Sequence, residues 1–147
     1  MKDMQQAARF LTILAGVTVL LGVVAVGALF YRSDIMASNL RREEGVAQAA
    51  FDALHDRRAA ELIYPQLSAE RRARTTPAAF AAQVRDDLVL LPGIAVRTPG
   101  YKVQQGQHVY TFVIYQNGQA VQRVMVAITG RGQATAVADI TSKTLKE

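Results

Sequence analysis

The chain contains no cysteine, so disulfide staples, thiolate zinc sites and cysteine nucleophiles are all excluded. Histidine is nearly as scarce: His55 and His108 are the only two, and no helix offers the i, i+4 ligand pair of a zinc protease. No metal is expected. The sequence also lacks a glycine-rich phosphate loop, a nucleophile motif and paired carboxylates, so no cofactor is expected and a catalytic role is disfavoured. Proline is absent before Pro65, which leaves the first sixty-four residues free to be helical. Charge is missing altogether from one long stretch.

That stretch is "FLTILAGVTVLLGVVAVGALFY", residues 10–31, bracketed by Arg9 and Arg32. As a helix it would be about 33 Å long, enough to cross a hydrocarbon core of about 30 Å. A core helix of a small soluble domain would carry a polar residue every third or fourth position, and this run has no such stripe. A cleaved signal peptide is the rival reading, with Lys2 and Arg9 as its basic head and "VGA" at Val26–Ala28 as a cleavage site. The apolar run is longer than the about 7–15 residues of an ordinary signal core, so a retained transmembrane helix is expected over 10–32. Residues 1–9 then form a short head and 33–147 a small extramembrane domain.

Within the span, Ala15, Thr18, Gly22 and Ala25 follow a 3-4-3 spacing that lines small residues along one face, where another transmembrane helix can pack closely. Arg9 and Arg32 are placed to reach lipid phosphate at the two boundaries. Basic residues flank both ends, so the positive-inside rule is almost balanced. A short head inside and a folded tail outside is the simplest insertion. The expected location is the bacterial inner membrane, single-pass, with the C-terminal domain in the periplasm.

Beyond the span, "SDIMASNLRREEGVAQAAFDALHDRR" reads as a helix with Leu40, Ala47, Phe51 and Leu54 on one face. It either continues the span or restarts at Ser33-Asp34, an N-cap pair. "HDRRAAELIYPQLS" gives a turn, a short helix and an exit at Pro65. "TTPAAFAAQVRDDLVLLPG" is the clearest helix: Thr76 caps it, Pro77 occupies its first turn, Phe80, Val84, Leu88 and Leu91 form its stripe, and Pro92-Gly93 end it. From residue 94 the period changes to two. "IAVRT" is a short strand. "QHVYTFVIYQNGQAVQRVMVAIT" is a hairpin around Asn117-Gly118, with Ile114 opposite Val121 and Thr111 opposite Val124, and "ATAVADIT" is the last strand. This register puts Val109, Val113, Val124 and Val126 on the face that the helix bearing Phe80 covers.

The expected class is therefore α+β: a transmembrane helix, then helices packed on a four-stranded antiparallel sheet. This order over residues 37–141 resembles the nuclear transport factor two-like (cystatin-like cone) superfamily, and among its members small membrane-anchored bacterial proteins such as the inner-membrane assembly subunits of type IV secretion. The resemblance implies a long helix and a helical hairpin held in a curved sheet. The chain departs from it in having no tryptophan, where many relatives end in a glycine-tryptophan strand.

Enzymes of cone-like folds place an acid, a tyrosine and a histidine inside the cone mouth, and His108, Tyr110 and Asp139 would share a face if the last strand pairs in a suitable register. The arginine pairs Arg41-Arg42, Arg57-Arg58 and Arg71-Arg72 each have acids nearby and lack interleaved aromatics, so nucleic-acid binding is not expected. Three functions stay open. The favoured one is a non-catalytic accessory or assembly subunit of a larger membrane protein complex, touching other subunits through the span and the domain. The others are a periplasmic cone domain binding a small apolar ligand, and an anchored enzyme using His108, Tyr110 and Asp139. A filled cone favours the first; an open, lined pocket favours the others.

Overall fold

The structure is a computed structural model that describes residues 2–96 and 98–145, with side chains from residue 14 onward. The chain is α+β and divides into two compact units, Met1–Ser38 and Asn39–Glu147.

Residues 2–38 of the first unit belong to helix α1, which runs Lys2–Ala53. Without proline, and with glycine only at isolated positions, nothing in the sequence breaks it. Of the two readings at Ser33-Asp34, the helix continues: Ser33 Oγ donates to the Phe30 carbonyl at 2.7 Å, a bond within the helix and not a cap. Leu14, Leu20, Val24 and Phe30 are all exposed, and the helix is long and apolar enough to cross a membrane.

The second unit begins with the last part of α1, whose inner face carries Glu43, Ala47, Ala50 and Phe51, all buried. Helix α2 (Ala59–Ile63) follows, then a 3-10 turn over Tyr64–Gln66 that accommodates Pro65. A short helix α3 (Ala69–Arg74) is capped by Ser68 Oγ, which accepts from the Arg71 amide at 3.2 Å. Helix α4 spans Pro77–Asp87, and Thr76 Oγ1 accepts from the Ala79 amide as the sequence predicts. It stops earlier than Pro92. Leu88 already leaves the helix, and residues 89–91 form an irregular segment held by the buried side chain of Gln122. Gln122 Nε2 donates to the Val89 carbonyl and the Leu91 amide donates to Gln122 Oε1, each at 2.7 Å.

The sheet has five antiparallel strands and not four: β1 (Ile94–Ala95), β2 (Gly100–Gln104), β3 (Gln107–Gln116), β4 (Gln119–Thr129) and β5 (Ala136–Thr144). The added strand is β2, which pairs with β3 through a two-residue turn at Gln105 (φ 52°) and Gly106 (φ 77°). Both β1 and β2 lie on the same side of β3, and the order β1-β3-β4-β5 completes the sheet. At Gly93, entering β1, a Cβ would lie 2.5 Å from the Tyr115 carbonyl oxygen, so only glycine permits that approach.

The hairpin register also differs from the expected one. The turn at Asn117-Gly118 is as predicted, but a bulge after the Tyr115–Ala120 pair leaves Val121 unpaired and slips the rest by one residue. Ile114 faces Gln122, Phe112 faces Val124, Tyr110 faces Val126 and His108 faces Ile128. The face under the helices thus carries Tyr110, Phe112, Ile114, Gln122, Val124, Val126 and Ile128, all buried, while Val113 and Met125 point the other way. Phe80 and Leu88 pack into that core as expected, with Val84 at its margin, but Val109 and Val113 are not their partners. Phe51 stacks on Phe112 at its centre, with ring centroids 4.3 Å apart.

Candidate functional site

The inner face of α1 breaks its apolar pattern at one position. Glu43 sits between Leu40 and Ala47 on the helix, 4 % exposed. A carboxylate so placed needs donors, because an unpaired buried charge costs several kcal/mol or more. β3 supplies two of them. His108 Nδ1 bonds Glu43 Oε2, and the Tyr110 hydroxyl lies 3.5 Å from the same oxygen and 3.4 Å from the Leu40 carbonyl. A carboxylate can only accept, so Nδ1 of His108 carries the proton in this pair. Alternation along β3 is what brings His108 and Tyr110 to one face, two residues apart.

The surroundings tune these groups. Burial, followed by the charge of Glu43, pushes the Tyr110 phenol well above its usual value, so it stays a neutral donor through the physiological range. Tyr101 of β2 packs edge-on to His108, with centroids 5.6 Å apart, and tilted against Tyr110 at 5.4 Å. The His108 ring remains partly open, and its Nε2 has no hydrogen-bond partner among the described residues. Beside it lies a cavity of about 230 Å³ lined by Glu43, Gly106, His108, Thr129, Gly130 and Arg131. The cluster can orient an imidazole, hold a proton at a known nitrogen and present the other nitrogen to solvent.

Asp139 is not part of this site. A bulge at Ala138 shifts β5 against β4, so Asp139 pairs with Ala127 and lies on the sheet face away from His108 and Tyr110. It meets Arg71 of α3 instead, at 3.3 Å, and Arg71 also donates to Gln83 Oε1 at 3.0 Å. The grouping of His108, Tyr110 and Asp139 is therefore replaced by one of His108, Tyr110 and Glu43. Among the described residues no set of three His, Asp or Glu side chains is placed to hold a metal ion.

A second concavity, about 750 Å³, opens between the end of α1, the Asp56–Arg58 turn, α2, α4 and the segment after α4. Its floor is Leu54, Ala59, Val84 and Leu88 and its rim is charged. It lies outside the packed interior, where Phe51 and Phe112 fill the space between helix and sheet. Among the arginine clusters, Arg58 lies 3.9 Å from Asp56 and Arg74 2.7 Å from Glu70, both largely exposed, whereas Arg71 is half-buried.

In the first unit, Ala15, Thr18, Gly22 and Ala25 are exposed on α1, and a Cβ added at Gly22 would meet nothing within 4 Å. Thr18 Oγ1 donates to the Leu14 carbonyl at 2.8 Å, which satisfies its hydroxyl within the helix. Arg32 is exposed, and the Arg9 side chain lies outside the described residues.

Comparison of the chain with protein-family models, curated proteins and solved structures finds no match.

Proposed function

We propose that this chain is a non-catalytic, single-pass accessory or assembly subunit of a larger bacterial membrane protein complex. The observation that carries the reading is the pairing of an exposed apolar helix, long enough to span a bilayer, with a domain whose interior is filled. An apolar helical surface of that length has to be covered by lipid or by other helices, and the small-residue face at Ala15, Thr18, Gly22 and Ala25 suits close helix packing. Arg9 and Arg32 anchor the ends of the span at lipid headgroups, and residues 33–147 face the periplasm. The stack of Phe51 on Phe112 fills the space between helix and sheet and leaves no room for an apolar ligand there. The domain then acts through its surface, on protein partners and with no nucleic acid.

Two measurements test this. Isolation of the native chain from membranes in a mild detergent, followed by mass spectrometry, should return a fixed set of membrane proteins. Recovery of the chain alone, in the soluble fraction, would refute the reading. Lys143 is exposed on β5, and a Lys143→Cys variant should react with an impermeant thiol reagent in intact spheroplasts. Reaction only after lysis would put the domain inside.

A further inference from the structure

We infer that the cavity beside His108 binds a small oxyanion, a phosphate or phosphomonoester group, between His108 Nε2 and the guanidinium of Arg131. At about 230 Å³ the cavity is several times the roughly 30 Å³ that one water occupies, and its lining is mainly polar. Two of its residues can donate to a ligand, Arg131 as it stands and His108 once Nε2 carries a proton. Arg131, on the turn after β4, is exposed and has no acidic partner among the described residues. Its position is fixed by Gly130, whose φ of 81° and close approach to the Ala134 carbonyl admit no side chain. His108 is held by the buried Glu43 at Nδ1, which leaves Nε2 as its free nitrogen, and both residues line the cavity.

The charges decide the ligand class. Glu43 and the exposed Glu44 come from α1, the neutral phenols of Tyr101 and Tyr110 from β2 and β3, and Arg131 from the turn. A cation at Nε2 would need that nitrogen bare, and would sit near Arg131. An anion needs Nε2 protonated, which makes the ring an imidazolium between the Glu43 carboxylate and the ligand, so charges alternate in sign across the site. Arg131 adds a forked donor suited to a tetrahedral oxyanion.

The test uses the full chain in neutral detergent micelles, with the imidazole 1H–15N signals followed by NMR. His55 and His108 are the only two histidines, so His55 serves as internal control. One arm adds inorganic phosphate; a second adds short-chain phosphatidylglycerol, to separate a free anion from a lipid headgroup. A saturable shift of His108 with His55 unmoved, in either arm, supports the site and names its source. Arg131→Ala should weaken that binding at least about tenfold, the loss of one charge-assisted contact, while the amide spectrum stays native. No saturable shift in either arm, or unaltered binding by Arg131→Ala, would each overturn the inference.

Discussion

Phe51 of α1 lies face to face with Phe112 of β3, their ring centroids 4.3 Å apart and their planes 3° from parallel. Both are buried, and between them they join the helix to the middle of the sheet. Removing one ring leaves a cavity that rigid neighbours on both sides cannot close. Phe51→Ala should therefore cost about 3–5 kcal/mol in a denaturant melt of the chain. A loss below about 1 kcal/mol, typical of exposed sites, would mean that the two rings do not share a core.

Gln122 makes a different kind of join. Its amide bonds the Val89 carbonyl, the Leu91 amide and Ser142 Oγ, so one buried side chain fixes the irregular segment after α4. Gln122→Leu keeps the volume and strands two backbone groups, each costing about 1–3 kcal/mol when buried without a partner. The expected result is a loss of about 2–4 kcal/mol, with the Leu91 amide exchanging its hydrogen much faster than in the native chain. Unchanged exchange at Leu91 would show that the segment is held by something else.

The same residue shows why part of the fold was legible in the sequence and part was not. Thr76 with Pro77, the two-residue turn at Asn117-Gly118 and the apolar period of α1 are local signals, and each element formed where it pointed. The bulge at Val121 is not a local signal. It brings Gln122 to the inner face, where the segment 89–91 needs its hydrogen bonds, and a count outward from the turn could not include that demand. One slipped residue then exchanged Val109 and Val113 for Tyr110 and Phe112 in the core. β2 carries no apolar alternation because all of its residues are exposed, and the Gln105-Gly106 turn is its one sequence mark. For the candidate site, His108 and Tyr110 were legible by strand parity. Glu43 was hidden among the charges of "RREEG", though it falls one turn before Ala47 on the buried face.

Tyr110 offers a spectroscopic test of that site. Its phenol is raised above the ordinary value near 10 by burial and by Glu43, so the folded state holds this proton more tightly than the unfolded state does. Its contribution to stability is complete below about pH 10 and is lost as pH rises beyond that. In an alkaline titration followed by ultraviolet absorbance, one of the five tyrosines should ionise only when the chain unfolds. Tyr110→Phe should delete that late step. If the late step survives in the variant, the phenol in question is another one and the polar cluster around Glu43 is misassigned.

The span itself is tested at Gly22. If α1 is only a tether, any apolar helix can replace its membrane segment. If it is an assembly element, the face bearing Ala15, Thr18, Gly22 and Ala25 is where a neighbour's helix packs. Gly22→Leu is compatible with the helix on every local count: a side chain there meets nothing of its own chain, leucine favours helix over glycine by about 0.8 kcal/mol, and it inserts well into membranes. It would nevertheless hold a close-packed neighbour off by the width of a side chain. Between lipid-bathed helices the lost dispersion contacts are not replaced by any hydrophobic drive to associate. Gly22→Leu should therefore lower co-purification with partner subunits while leaving the amount of chain in the membrane unchanged. Val23→Leu, about 100° around the helix, is the control and should behave as the native chain does. Equal recovery of partners by both variants and the native protein would remove the span from the interface and leave the folded domain to make the contact alone.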